Sequence, residues 1–340
     1  IYADLIDQVK EGISLLNADK PAIEGDLFYN GDIDQWKKFG NSLLLRLGMR
    51  LSKVKPELAA ATAKAAIEGG IMSEAKDMCR LKHIAGGRDE DKNPVALRFQ
   101  KDNYIGQGKV KISQTFMNHL QATNDPRIAV FCSLKDGNAD PSIQKGLPNG
   151  YDKNTISTNS DYTGKLEDYS NFNTNVILRE DAPTLLLMPS ESKLLQAEAA
   201  LRNWVAGDPE ALYKEAICLS MQEQKEAYGV SISEQQVNDY LAQNLFANAA
   251  SQEEKLEVLG NEYWVTTFMN GYESYANWRR CGYPKLTPTH YAGNESNGQI
   301  PRRLPYAIDE YTINKANVEQ AVQQQGADNL NTRIWWDVAK

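Results

Sequence analysis

Apolar residues recur at helical spacing from the first residue of the chain. In IYADLIDQVKEGISLL they fall at Leu5, Ile6, Val9, Ile13 and Leu16, which predicts a first amphipathic helix. Beyond Gly31, Asp32 or Asp34 can cap a second helix with Trp36, Phe39, Leu43, Leu47 and Leu51 along one face. Pro56 opens a third, PELAAATAKAAIEGG, which Gly69 and Gly70 close. Its alanines allow a close approach of helices, so the pair reads as a helical hairpin. From Lys82 to Gly108 the periodicity fails, and GGRDEDKNP is polar and turn-like. SQTFMNHLQAT predicts a helix starting near Ser113 and stopping before NDPR. The segment from Ser133 to Asn175 has almost no periodicity. A loop of that length inside a compact domain is functional or disordered more often than incidental.

Helical rhythm returns at Pro183. TLLLMPSESKLLQAEAALRNW predicts a helix interrupted at Pro189, with Ser190 as its cap. Asp208 and Pro209 start PEALYKEAICLSMQEQKEAYG, and Gly229 lies past its end. This second hairpin carries Ala211, Tyr213, Ala216 and Ile217 in the order of the second half of a tetratricopeptide repeat, without the full consensus. Ser233 with Gln236, and Ser251 with Glu254, are capping boxes that each begin a further helix. The expected fold is mainly all-α, with tetratricopeptide-like hairpins and long irregular loops. It forms one domain over residues 1–340, repeat-like over about 1–80 and 183–228, with a loop-rich insertion over about 133–175. Strands are expected only as short hairpins in the irregular parts.

The helix begun at Ser251 runs into EYWVTTFMNGYESYANWRRCGYP. Tyr263, Trp264, Phe268, Tyr272 and Tyr275 recur every three to four residues, one broad stripe on a continuous helix. That periodicity suits packing better than a ligand platform, so Trp264, Phe268 and Tyr272 are expected to be buried. Arg279 and Arg280 are expected to bond terminal carbonyls before Gly282 and Pro284 stop the helix.

Composition narrows the chemistry. Of 340 residues 41% are hydrophobic and 24% charged, with a net charge of −8. The apolar share suffices for a sizeable core, and the acidic balance argues against nucleic acid, whose phosphates need Lys and Arg. No stretch approaches the ~18 apolar residues of a membrane span. No signal peptide is present, and the start at Ile1 reads as a processed chain or part of a longer one. The four cysteines, Cys79, Cys132, Cys218 and Cys281, form no CxxC pair; Cys218 is expected to pack as a small apolar residue. His83, His119 and His290 are isolated, which favours structural roles over a metal site. DGNAD places Asp136, Asn138 and Asp140 like the start of a calcium loop. Pro141 and Leu147 stand where that loop needs Gly and Glu, so a solvated turn is the better reading. Arg46 and Arg50, one turn apart, could hold an anion but are better read as partners of carboxylates or helix-end carbonyls in a helix stack. No GxSxG, HExxH, phosphate-loop or dinucleotide fingerprint occurs, and no distinctive carboxylate pair.

Together several segments resemble one family. EYWVTTFMNGYESYANWRRCGYPKL followed by IPRRLPYAIDEYTINKANVEQA is similar to the carboxy-terminal signature of SusD/RagB proteins. WKKFGNSLLLRLGMRLS with the PELA helix, NDPR and APTLLLMPSESKLLQAEAALR agree with the family in order, so the resemblance spans nearly the whole chain. The resemblance implies a helical fold with tetratricopeptide-like repeats in a surface-exposed lipoprotein of the outer membrane. It implies capping of a TonB-dependent, SusC-like transporter and capture of an oligosaccharide, in some members a peptide, without catalysis or cofactor. Family members start with a lipoprotein signal and further helical repeats that are missing here, so a lipid anchor is expected outside this chain. Rival readings are peptide uptake on the same scaffold, a helical glycoside hydrolase, and a cytoplasmic repeat scaffold.

The signature segments are structural in the family and name no ligand residue. A sugar site wants exposed rings beside groups that both donate and accept hydrogen bonds. Within Ser133–Asn175 the candidate platforms are Tyr151, Tyr162, Tyr169 and Phe172. Asp161 and Asn173, with Asn149, Asp152 and Asn159, are the polar candidates. No catalytic or metal-ligating residue is nominated.

Overall fold

The computed structural model describes residues 1–21, 23–101, 110–289 and 291–338. Helices dominate. The first three are α1 (Tyr2–Leu15), α2 (Ile33–Arg50) and α3 (Pro56–Glu68), followed by α4 (Pro94–Lys101), α5 (Gln114–Ala122) and the single turn α6 (Ile128–Phe131). The second half holds α7 (Pro189–Leu201), α8 (Pro209–Tyr228), α9 (Glu234–Gln243), α10 (Gln252–Thr266) and α11 (Gly271–Cys281). The short α12 (Glu310–Ile313) and α13 (Lys315–Gln325) lie near the end. Strands are short: β1 (Cys79–Leu81) pairs antiparallel with β4 (Thr184–Leu187), and β2 (Cys132–Ser133) with β3 (Asn171–Phe172). Among the described residues, no helix is long and apolar enough to cross a membrane.

The expected starts and stops hold in detail. Asp32 caps α2 through the N–H groups of Asp34 and Gln35. Pro56 and Pro209 sit in the first turns of α3 and α8, and Gly229 ends α8 in the left-handed conformation. Both capping boxes form, at Ser233 and Ser251. Three segments differ, one of them the aromatic stretch, which is broken between α10 and α11. TLLL is strand β4, not helix, because it pairs with β1; α7 therefore starts at Pro189 with Met188, not Ser190, at its cap position. Helix α4 lies inside the stretch whose periodicity failed; it is only eight residues long and buries Ala96 alone.

Hairpins α2–α3 and α7–α8 pack side by side through α2 and α7, with α10 against α7. Ala59, Ala63 and Ala66 of α3 are completely buried, so the small side chains do bring α3 against its neighbours. Helix α2 is gripped on two sides. Leu44, Leu45, Met49 and Leu51 enter the central core with Leu194, Leu195, Tyr213 and Ile217. Trp36, Phe39 and Leu43 instead pack around Tyr29, Met72, Cys79 and Leu187. Ala211 of the repeat-like set faces solvent while Tyr213, Ala216 and Ile217 are buried. A second core, built on Phe116, Met117, Leu120, Phe131, Ile177 and Leu178, lies under the irregular loop.

Candidate functional site

The aromatic stretch does not form one helix. Helix α10 ends at Thr266, Asn270 caps α11 through the N–H of Glu273, and the four residues between them reset the helical phase. Phe268 is half-buried against the second core, stacked on Phe116 at 4.5 Å and on Phe172 at 5.5 Å. Trp264 is half-buried, edge-on to Phe116 at 4.9 Å. Tyr272, expected inside, is 94% exposed because the break turns its side of α11 outward.

The arginines also differ from the simplest expectation. Arg280 is buried and forms a two-pronged pair with Glu198 of α7 at 2.7 and 2.6 Å. Arg279 reaches the carbonyl of Arg302 at 3.0 Å and lies 4.2 Å over the Tyr275 ring. Neither serves the end of its own helix. Arg46 and Arg50 do pair with carboxylates, Arg46 with Glu191 at 2.5 and 2.7 Å and Arg50 with Glu273 at 2.6 and 2.8 Å. Between them the Tyr263 hydroxyl, 2.8 Å from Glu191 and 2.9 Å from Glu273, can donate to one carboxylate at a time. Burial pushes Glu191 up, whereas Arg50 and Arg46 outweigh burial at Glu273 and hold it down. This network lies inside the helix stack, away from solvent.

The long loop is tied down rather than free. Leu147 exchanges backbone hydrogen bonds with Ile112 and Gln114, and Ser170 with Ile112 and Lys145. Gly146 allows this approach: a Cβ there would stand 2.4 Å from the backbone of Gln114. Asp136, Asn138 and Asp140 each accept the N–H two residues on, a chain of small turns.

The proposed platforms separate on this frame. Tyr169 is fully buried, its hydroxyl donating to the carbonyl of Asp161 and accepting from Thr163. Phe172 stands between Phe268 and Phe99. Asn173 is buried and donates to the carbonyl of Ala129 at 3.0 Å. Phe172 and Asn173 hold the loop against the second core and α6, while Tyr169 fastens the loop to itself. Tyr162 stacks one face on Tyr169 at 5.9 Å and remains half-exposed. Tyr151 is 41% exposed. Asp161 is exposed and accepts from Gln114 at 3.0 Å.

Beside the exposed part of the loop is a cleft of ≈ 450 Å³. Asn149 lines it from the loop, Ser113 and Thr115 from the start of α5, and Trp264 from α10. Its far wall is the segment after α11, with Thr287, Thr289, Asn294, Ser296 and Gln299 beside Leu286, Pro288, Ile300 and Pro301. That segment is fixed at both ends. Tyr283 is buried against α10, where a Cβ on Gly260 would stand 2.5 Å from it. Tyr275 donates to the carbonyl of Pro301 at 2.6 Å. Across the mouth, Tyr291 donates to Asp152 at 2.7 Å, joining the two loops. That bond and the N–H of Asn154 hold the Asp152 carboxyl down at about 2.

The cleft therefore offers hydroxyls, carboxamides and one indole, and its described lining carries no ionisable side chain. It unites Asn149, Ser113, Thr115 and Trp264 with the segment 286–301, which periodicity does not mark. The available signal was LTPTHYAGNESNGQIP, a run of Thr, Asn, Ser and Gln with one acidic residue, one histidine and no Lys or Arg. His290 of that run lies outside the described residues. His83 is paired with Thr184 at 2.9 Å.

No curated protein matches the chain. Among solved structures, a chitin-binding protein superposes with a TM-score of 0.86 at 31% identity, over 99% of this chain and 72% of that one. A chitin-binding SusD homolog from Flavobacterium johnsoniae gives 0.80 at 26% identity, over 100% and 72%. A SusD homolog from Bacteroides uniformis gives 0.82 at 25% identity, over 99% and 72%. Residues 1–307 match the SusD-like family model described as "Starch-binding associating with outer membrane". With its stacked helical hairpins and near full-length superposition on these structures, the chain belongs to the SusD-like family.

Proposed function

We propose that this protein captures a neutral oligosaccharide in the cleft between α5, Trp264 and the segment 286–301, without altering it chemically. The carrying observation is the lining: hydroxyls and amides that donate and accept, one ring face for sugar C–H groups, and no described ionisable group. A peptide brings charged termini, for which this lining has no counter-charge. A glycosidase needs two carboxylates flanking the bond, and no Asp or Glu lines the described cleft. Tyr151, Tyr162 and Asp161 extend the site at its loop side, with Asn149 as the shared residue. The starch-binding description of the family and the chitin-binding structural relatives support a glycan ligand, and the family description supports an outer-membrane setting. On the same family ground the protein works as a surface-exposed lipoprotein that hands its ligand to a TonB-dependent, SusC-like transporter.

Calorimetry with chito- and malto-oligosaccharides tests the reading. Binding of either series, weakened by roughly tenfold in Asn149→Ala with an unchanged melting temperature, is the expected result. Release of new reducing ends with turnover would instead make it a hydrolase, and tight binding of peptides with no glycan binding would make it a peptide receptor. Pull-down from outer membranes tests the transporter; recovery without a co-purifying barrel protein would count against that partner.

A further inference from the structure

Trp264 has a second cavity on its other side. This cavity, of ≈ 230 Å³, is lined among others by His119 of α5 and Thr123 just past its end, Tyr240 and Asn244, Asn248, and Asn261 of α10. The rings of Trp264 and His119 meet at 5.6 Å and 50°, so these two rings stand between the two cavities. Both cavities open along one face of α5. Thr115 lines the first, His119 and Thr123 the second, and steps of four residues keep side chains on one helix face. Thr115 and Thr123 are about 12 Å apart along the axis at the usual helical rise.

The chemistry of the second cavity continues that of the first. Its polar lining is mostly carboxamide and hydroxyl. Its described carboxylate, Glu262, is bonded to Arg127 and Tyr240. Burial pushes the His119 pKa down, so the ring stays neutral near pH 7 and offers one donor and one acceptor.

We infer that the two cavities form one groove along α5 that takes a linear, uncharged oligosaccharide across the Trp264–His119 pair. The second cavity holds the sugars beyond those in the first, with Asn244, Asn248 and Gln243 among the side chains that face them. The inference rests on the glycan reading of the first cleft.

The test is calorimetry with chito- and malto-oligosaccharides from disaccharide to hexasaccharide, on the wild type, Asn248→Trp and Asn261→Leu. Asn248 is exposed on the turn after α9, so a ring there blocks the second cavity without entering a core. The expected result is a gain of about tenfold or more in wild-type affinity from disaccharide to hexasaccharide. In Asn248→Trp the hexasaccharide falls to the disaccharide value and the disaccharide is unchanged; Asn261→Leu moves in the same direction. Wild-type affinity independent of length, or length dependence retained in Asn248→Trp, would overturn the groove and leave the first cleft standing. Absence of binding at every length would overturn both.

Discussion

Phe268 and Tyr272 are one helical step apart in sequence and lie in opposite environments. Phe268 is half-buried and packs on Phe116, Phe131 and Phe172, whereas Tyr272 is 94% exposed. Phe268→Ala is expected to lower the unfolding free energy by about 3 kcal/mol, and Tyr272→Ala to change it by about 0.5 kcal/mol or less. Urea titration of the two variants checks the contrast, and equal losses would contradict the broken helix. A second residue-scale consequence concerns Glu223. Burial pushes its carboxyl from 4.5 up to about 8, although Ser190 donates to it through both N–H and hydroxyl. Between pH 4.5 and 8 the unfolded chain has lost this proton while the folded chain keeps it. Stability from this group therefore falls as pH rises through that window, by about 1.4 kcal/mol per unit, and levels off above it. Glu223→Gln should flatten that slope in melts taken from pH 5 to 8; an unchanged slope would assign it elsewhere.

Elements are fastened by buried ion pairs. Arg280 on α11 and Glu198 on α7 tie the aromatic stretch to the repeat-like hairpin, and Arg202 adds a second partner for Glu198. Removing one partner strands the other charge, so Arg280→Ala should cost about 3–5 kcal/mol. Replacing both, as Glu198→Leu with Arg280→Met, should recover most of that loss, which thermal melts would show. The same pair sets an acid limit. Burial alone would raise Glu198, but Arg280 and Arg202 outweigh it and hold its carboxyl at about 2. Its folded value lies below the unfolded 4.5, so its contribution is complete above pH 4.5 and is lost as pH falls toward 2. Glu198 and Glu223 thus act in opposite directions at the two ends of the pH range. The hairpins themselves were legible because caps and apolar stripes are local. Strand β4 was not, because four residues of TLLL take their conformation from a partner about a hundred residues earlier.

At the scale of the molecule, the helical hairpins pack around one core, and the loop over the second core borders a polar cleft. A ligand that binds only this folded arrangement stabilises it. With free glycan at 100 times its dissociation constant, the unfolding free energy should rise by about 2.7 kcal/mol. A thermal-shift series with the best-binding oligosaccharide checks this, and a flat melting temperature under saturating glycan would exclude the folded cleft as its site. Of the candidate site, the loop was legible by its length and its Tyr and Asn content. Which of its rings stay free was not: Phe172 is taken up by the second core and Tyr169 by hydrogen bonds that close the loop on itself, whereas Tyr151 and Tyr162 keep exposed surface.

What the sequence determined alone is whatever depends on neighbours within a turn or two. Asp32, Ser233, Ser251, Pro56, Pro209 and Gly229 place helix ends through bonds and dihedral limits inside the segment itself. The apolar stripes then require burial, and hairpins follow. The family resemblance is of the same kind, since its segments are runs of adjacent residues. Tertiary structure alone decided where Arg280 finds its counter-charge, which side of α11 faces water, and that Asn149 shares a cleft with Thr115, Trp264 and Gln299. Those relations join residues with no fixed separation along the chain. They arise only when packing of the two cores sets the distances between elements.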